Sequence, residues 1–492
     1  MGEWAKRRNG EGEIPDSPIR PFPVSVFKVP RFIPHPRRLT QQCVIGTAVP
    51  SRLIFAVLLL WAGVVRAQTS NGPPSDALLQ RLLTAIRQLP IIDNHAHPAF
   101  PGDAEMDALT FAPEGLSTMA PFLWPLRLRP TNLEYVPALQ AFYGYPYTDL
   151  TPEHLQELKI LKRKQRSTSA LSYFNSVLDK VGISVSLANR VGLARAPLDR
   201  SRFKWVPFID AYLFPLDNTV YKKQNSDYAL FFASEEKLLK RYLEQVETTR
   251  PRAFDAYLRF LHESLGRLKA DGAVAVKFEA AYLRALRFDD PSSRQARRIY
   301  ERYRSTTEVP IEEYRDLQDY LFRYLLREVT KLGLPVHIHT GLGIGNTFRL
   351  NDAHPLQLEN LLSDAQYRQT TFVLLHGGYP FTQETILLAA KPNVYVDASA
   401  LSLVLYPHDL AKILKDWLTF YPEKILFGTD AMVVDEVIGA EETYWLAAET
   451  IRLSLALALS EMVQEGRCDE AEALRLARLV LHDNAAKLYG LP

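Results

Sequence analysis

Five residues in this sequence combine metal-binding side chains with positions at the ends of apolar runs. His95 and His97 flank one alanine in IIDNHAHPAF, His339 closes LPVHIH, His376 closes TFVLLH and Asp430 closes KILFGTD. Imidazole nitrogen and carboxylate oxygen are ligands of zinc-type ions. A separation of two puts His95 and His97 on one side of a strand. One His-x-His pair is a weak signal, since packing or chance explains most such pairs. Four histidines and an aspartate at the ends of four different runs are harder to explain that way. Burying so many polar groups without a metal or complete hydrogen bonding is costly.

Further candidates surround these five. His337 shares the face of His339 but sits deeper, as a pocket group or as the ligand in its place. Lys277 and Glu279 share a face of AVAVKFEA. A protonated lysine cannot bind a metal. Carbamylated, Lys277 would become a carboxylate able to bridge two ions; charged, it would pair with Glu279 or Asp430 or hold a substrate carboxylate. Glu279 is the alternative bridging ligand. Arg284 and Arg349 are candidate clamps for an anionic substrate through bidentate geometry, and His354 and Tyr282 are candidate substrate contacts. Asp397 ends its run as a group that fixes a loop or a histidine. His154, His262, His408 and His482 fall in helical patterns, where packing or solvation accounts for them.

These residues need a frame that brings distant runs to one place. Eight runs read as strands: 91–98, 182–190, 204–210, 273–280, 334–341, 371–378, 392–399 and 424–430. Amphipathic patterns lie between several of them. One opens at Thr151 and Pro152, an N-cap followed by proline at the first helical position. Another repeats Phe254, Tyr257, Leu261, Leu265 and Leu268, and a third Leu317, Tyr320, Leu321, Tyr324 and Leu325, each ending near a glycine. Near-continuous apolar strands alternating with helices imply parallel pairing with both faces covered. The expected fold is α/β, a (β/α)8 TIM barrel with helical insertions and a helical C-terminal tail over 440–490. Active sites of such barrels collect at the C-terminal ends of the strands. A doubly wound open sheet is the alternative, but no glycine-rich dinucleotide fingerprint follows the first strand. The glycines of HTGLGIG and LHGGYP instead suit close approach of loops. The surplus segments 99–180, 211–250 and 285–315 supply lids, extra helices or contacts with another copy of the chain, so a homo-oligomer is among the expected assemblies.

The N-terminal region has its own logic. Residues 1–50 hold eight prolines and no period, which reads as a disordered leader or a misplaced start. The apolar core Leu53–Val65, inside 51–67, is too short for a membrane span of roughly 20 residues and fits a signal-peptide core of about 7–15. Cleavage after Ala67 is expected, with an uncleaved anchor as the alternative. The mature barrel domain, 71–492, would be periplasmic or secreted, with no stable membrane span. After residue 67 the chain has 48 Lys/Arg against 52 Asp/Glu, a formal charge of −4 where the whole chain has +2. The basic excess belongs to the leader, which removes the support for nucleic-acid binding. Cys468 is the one cysteine beyond the leader, so the mature chain has no intrachain disulfide.

DNHAHP, VKFEAAYLRAL, HIHTGLG, VLLHGGYPF, NVYVDAS and ILFGTDA, in that order, resemble the landmarks of the metal-dependent amidohydrolase superfamily. The likeness is strongest to its amidohydrolase-related branch, similar to the amidohydrolase part of glutamine-synthetase-fused proteins and to metal-dependent decarboxylases. It covers about residues 85–490. The resemblance implies that His95, His97, His339 and Asp430 hold the metal, most simply Zn2+, in a site of one or two ions. His376 would bind a second ion or act as an electrostatic or acid–base group, and Lys277 would be the carbamate of a binuclear member. The implied reaction is hydrolysis of a C–N or ester bond of a small, carboxylate-bearing substrate by a water activated on the ion, with Asp430 as proton carrier. Non-oxidative decarboxylation is the alternative reaction, and a non-catalytic binding barrel the alternative outside enzymes.

Overall fold

Every one of the eight apolar runs overlaps a strand: β1 (Ile91–Ala96), β2 (Ile183–Asn189), β3 (Phe203–Val206), β4 (Val276–Phe278), β5 (Val336–His339), β6 (Phe372–Leu375), β7 (Val394–Asp397) and β8 (Ile425–Leu426). All pairings are parallel, in one sheet of order β1-β2-β3 and one of order β4 through β8. The computed structural model describes residues 76–99, 123–166, 170–192, 198–224, 228–306, 308–346 and 348–492. The expected leader and export segment, 1–67, lies outside them. The described residues all belong to one unit, Thr69–Pro492.

Backbone contacts join the two sheets at both edges. Between β3 and β4, Trp205 bridges Ala273 and Phe208 bridges Lys277, with Lys277 N donating to Pro207 O at 2.9 Å. At the other edge Ala96 bridges Ala431. There Asn94 N donates to Phe427 O at 2.8 Å, Asp430 N to His95 O at 2.7 Å and His97 N to Ala431 O at 2.7 Å. The circuit β1 through β8 and back to β1 is thereby closed, as in a (β/α)8 barrel.

Side chains alternate across the barrel wall. In β5, Val336 and Ile338 pack outward among the helices, while His337 and His339 lie on the other face. Ile92, Leu187, Val206, Val373, Leu375 and Leu426 form a separate apolar cluster that fills the interior. The tail enters this cluster: Ala485 is buried in it, and Leu488, Tyr489 and Leu491 pack on it. Asn484 Nδ2 donates to Pro422 O and Ile425 O, both at 2.8 Å. Those carbonyls stand at the start of β8, so the tail closes the end of the barrel opposite the strand C-termini.

The predicted helices form as Pro152–Arg166, Phe254–Ala270 and Ile311–Lys331. The tail is Ala440–Gln464, Glu470–Arg478 and Asn484–Tyr489, with a π-turn Leu479–Asp483. The described parts of the surplus segments are extra helices, among them Ala170–Val181, Tyr228–Gln245 and Ser293–Tyr303. Helix Pro152–Arg166 buries Leu158 in the core, with Leu155 and Leu161 packed beside it, and adds ion pairs. Lys162 Nζ lies 2.8 Å from Glu442 and 2.7 Å from Val437 O, and Arg166 lies 2.7 Å from Glu441. These pairs grip the chain just after Asp430. Among the described residues no helix is long and apolar enough to cross a membrane.

Leu187 is wholly buried in the interior cluster, whereas Leu387 is 52% exposed. Leu187→Ala is expected to lower stability by about 2–5 kcal/mol, and Leu387→Ala by no more than about 0.5 kcal/mol. Urea denaturation of both variants checks the contrast; equal losses would contradict the assignment of an interior core.

Candidate metal centre

β1 and the chain after β8 meet at the C-terminal mouth of the barrel. There His95 Nε2 lies 3.2 Å and His97 Nε2 3.5 Å from Asp430 Oδ1, and the two ring nitrogens are 3.3 Å apart. These are the His/Cys/Asp/Glu residues that could hold a metal together among the described residues. Four-coordinate zinc with ligand distances of about 2.0–2.2 Å sets its ligand atoms roughly 3.3–3.6 Å apart. The three edges therefore fit one ion. All three residues are buried, and a cation among them would offset the cost of burying a carboxylate and two imidazoles.

Local backbone makes the convergence possible. Asp430 has φ +55° and His376 has φ +60°, a region that L-residues occupy at a cost of about 1–3 kcal/mol and mostly at functional sites. Gly428 is the other requirement. A Cβ there would stand 2.7 Å from Asp397 Oδ2 and 3.0 Å from His95 Cβ. Gly341, at φ +69°, lies against the backbone of Gly378, where a Cβ would come within 2.2 Å of its carbonyl carbon. The loops after β5 and β6 thus meet backbone to backbone, as the glycine clusters predict.

The remaining candidates divide into neighbours of this centre and parts of the scaffold. His339 Nδ1 faces His376 Nε2 at 3.0 Å, and His376 Nδ1 stands 4.0 Å from Asp430 Oδ2. His339 is therefore brought beside His376, outside the His95–His97–Asp430 group, and its Nε2 is buried with no hydrogen-bond partner. Lys277 Nζ is buried without a hydrogen bond, 3.8 Å from Glu279 Oε1. The Tyr282 ring packs 4.8 Å from that of His339. His354 caps the turn Pro355–Leu358 and stacks on Phe381 at 3.8 Å. Arg349 is largely exposed, with its side chain 3.5 Å from Asp352.

Two expectations need correction. Arg284 does not stand free as a substrate clamp: its guanidinium pairs with Asp319 at 2.6 Å and donates to Gln318 Oε1 and to the carbonyls of Ala285 and Arg287. A buried guanidinium needs such partners, and here the scaffold supplies them. His337 is not at the mouth. Its Nε2 lies 2.7 Å from the Tyr489 hydroxyl, deep in the barrel.

Burial holds His95, His339 and His376 well below the ordinary imidazole range. Neutral imidazole is the metal-binding form. Asp93 escaped the sequence reading. Its carboxylate accepts from Ser186 Oγ at 2.6 Å and from Thr429 N at 2.7 Å, tying β1 to β2 and to the β8 loop. Burial pushes it up to about 7. The one available sign was its place two residues before His95 on an otherwise buried strand.

Residues 266–491 match the family described as Amidohydrolase. Protein fluG of Emericella nidulans is 32% identical over 212 residues, 41% of this chain and 24% of that protein. The chain thus spans about a quarter of that relative's length. A metal-dependent hydrolase from Lactobacillus casei is 18% identical with a TM-score of 0.59, over 83% of this chain and 97% of that one. A uronate isomerase from Thermotoga maritima is 15% identical with a TM-score of 0.58, over 86% and 100%. At these identities the structures establish a shared barrel fold.

Two predictions follow from the geometry. In equilibrium dialysis against Zn2+, His97→Ala and Asp430→Asn are expected to lower affinity more than about 100-fold. Gly428→Ala, which displaces His95 and Asp397, should lower it about 10–100-fold. Unchanged binding in all three would place the ion elsewhere. The second concerns acid stability. Burial lowers His337 from 6.5 to about 3, so between these values the unfolded chain binds the extra proton. The stability from keeping the ring neutral is complete above about pH 6.5 and lost as pH falls toward 3. Urea midpoints across that window should fall less steeply in His337→Gln than in the parent; equal slopes would contradict the assignment.

Residues 266–491, the stretch that matches the family described as Amidohydrolase, carry His339, His376 and Asp430.

Proposed function

We propose that the protein is a metal-dependent hydrolase of a C–N (amide-type) or ester bond in a small, carboxylate-bearing substrate. The observation that carries this reading is the buried set His95 Nε2, His97 Nε2 and Asp430 Oδ1, with edges of 3.2–3.5 Å, at the mouth where barrel active sites collect. A zinc-type ion bound there supplies Lewis acidity toward a carbonyl oxygen and a water that is acidic near neutral pH.

The chain's own groups divide the remaining work. Asp430 turns Oδ1 to the two histidines and Oδ2 toward His376. Oδ2 takes the proton of the attacking water and returns it to the leaving nitrogen or oxygen. His376 donates toward the developing oxyanion, or serves a second ion with His339, whose Nδ1 it faces at 3.0 Å. Lys277 lies on the adjacent strand beside Glu279. As a carbamate it would complete that second position, and as an amine it pairs with Glu279. Tyr282, packed on His339, and His354 orient the substrate, and Arg349, exposed on the loop after β5, meets its carboxylate. Export through residues 51–67 and assembly into a homo-oligomer belong to the same proposal.

A panel of N-acyl and ester carboxylates, assayed with metal-stripped and reloaded protein, tests the reaction. Activity should vanish on stripping and return on reloading, and Asp430→Asn should lower kcat by about 10²–10⁴-fold. Full turnover without metal, or release of carbon dioxide in place of amine or alcohol, would overturn the assignment.

A further inference from the structure

Beside the metal centre the mouth of the barrel carries a group of aromatic rings that the proposed chemistry leaves largely unused. Tyr282, on the turn after β4, packs 4.8 Å from the ring of His339 and 4.9 Å from that of Phe348, on the loop after β5. Phe348 in turn stands 5.9 Å from His339. All three contacts are tilted, at 56–75°, and fall in the range of about 4.5–7 Å that aromatic pairs favour. Two buried rings stand behind: Phe231 lies 6.3 Å from Tyr282, and Phe208 lies 6.1 Å from His97 on the β1 side. Tyr282 and Phe348 are only half-buried, so these two rings have surface left for a ligand.

The loop after β5 is shaped to seat Phe348. Its ring lies on Gly343, where a Cβ would come 2.3 Å from Phe348 Cε2 and 2.4 Å from Cδ2. A residue without a side chain is therefore needed at 343 for the ring to lie where it does. Ile344 N donates to the Tyr282 hydroxyl at 3.4 Å, and Phe348 N to Gly345 O at 3.4 Å. One short loop thus fixes both rings. A phenylalanine serving only as filler would be sunk in the core; this one is half-buried on a loop beside His339. Arg349, the next residue, is largely exposed, so a carboxylate held there would leave the neighbouring part of the same molecule against Phe348.

We propose that Phe348 is a specificity-determining residue, forming with Tyr282 a wall against which a flat aromatic group of the substrate packs. The proposal deepens the hydrolase reading and rests on it for the mouth being the substrate site. A well-placed aromatic pair gains roughly 2–10-fold in affinity beyond the area it buries, which a saturated ring of the same size does not.

The test is isothermal titration calorimetry of the full chain with Zn2+ present, using benzoate and cyclohexanecarboxylate. Both carry one carboxylate on a six-membered ring, and only the first ring is flat and aromatic. The parent should bind benzoate about 5–10-fold tighter. Phe348→Leu, which keeps apolar bulk, should abolish the preference and leave cyclohexanecarboxylate binding nearly unchanged. Gly343→Ala, which keeps the phenylalanine but drives its ring off its seat, should shrink the preference in the same direction. A residue that merely anchors the loop would, when replaced, weaken both probes alike. Equal affinities in the parent, no binding of benzoate, a preference that survives Phe348→Leu, or parallel loss of both probes would overturn the proposal. Should Phe348→Leu not fold, an unchanged preference in Gly343→Ala overturns it. Binding is read without turnover, so a chain that prefers benzoate through Phe348 yet cleaves no amide or ester would sink the hydrolase reading alone.

Discussion

The site depends on one seam. β1 and the chain after β8 are more than 300 residues apart in sequence, and backbone hydrogen bonds lock them side by side, from Asn94 N to Phe427 O, from Asp430 N to His95 O and from His97 N to Ala431 O. The bonds that close the barrel are made by the metal-binding residues themselves. Closing the seam therefore sets His95, His97 and Asp430 at ligand spacing, and any slip of register would separate them. Asp93 reinforces it from one residue earlier, holding Ser186 and Thr429 across the same junction.

A closed barrel also creates a problem that the chain solves inside. Eight strands enclose a space with little room for water, yet Asn94, Lys277, His337, His339 and Asp397 all project polar groups into it. Leaving such groups unpaired would cost about 1–3 kcal/mol each. The lower interior answers with apolar filling and the Tyr489 hydroxyl; the middle answers with Asp397 and Ser399. At the mouth, pairing is left incomplete, as His339 Nε2, buried with no hydrogen-bond partner, shows. Incomplete pairing in a buried place is what a site for a cation and a substrate requires.

Much of this was legible in the sequence. Parallel strands buried on both faces announce themselves as short apolar runs, and each of the eight runs overlaps its strand. The order of His-x-His, two later histidines and an aspartate pointed to one mouth, because residues at strand C-termini share one face of a barrel, and His95, His97 and Asp430 do come together. Other features were hidden for physical reasons. Arg284 looks like any loop arginine until Asp319, on helix Ile311–Lys331, is folded against it. β8 is two residues long where seven were expected, because from Phe427 onward the chain makes its backbone bonds with β1. Asn94 and Tyr489 carry no spacing signal, since they meet each other across 395 residues of sequence.

The central claim is that a divalent cation sits between β1 and the β8 loop. Anomalous diffraction at the metal edge from crystals of the purified protein tests it most directly. The account predicts a single strong peak about 2.0–2.2 Å from His95 Nε2, His97 Nε2 and an Asp430 oxygen, whether or not a second peak lies near His339 and His376. An ordered site with no anomalous peak among those three side chains, in protein grown and purified with zinc present, would contradict it.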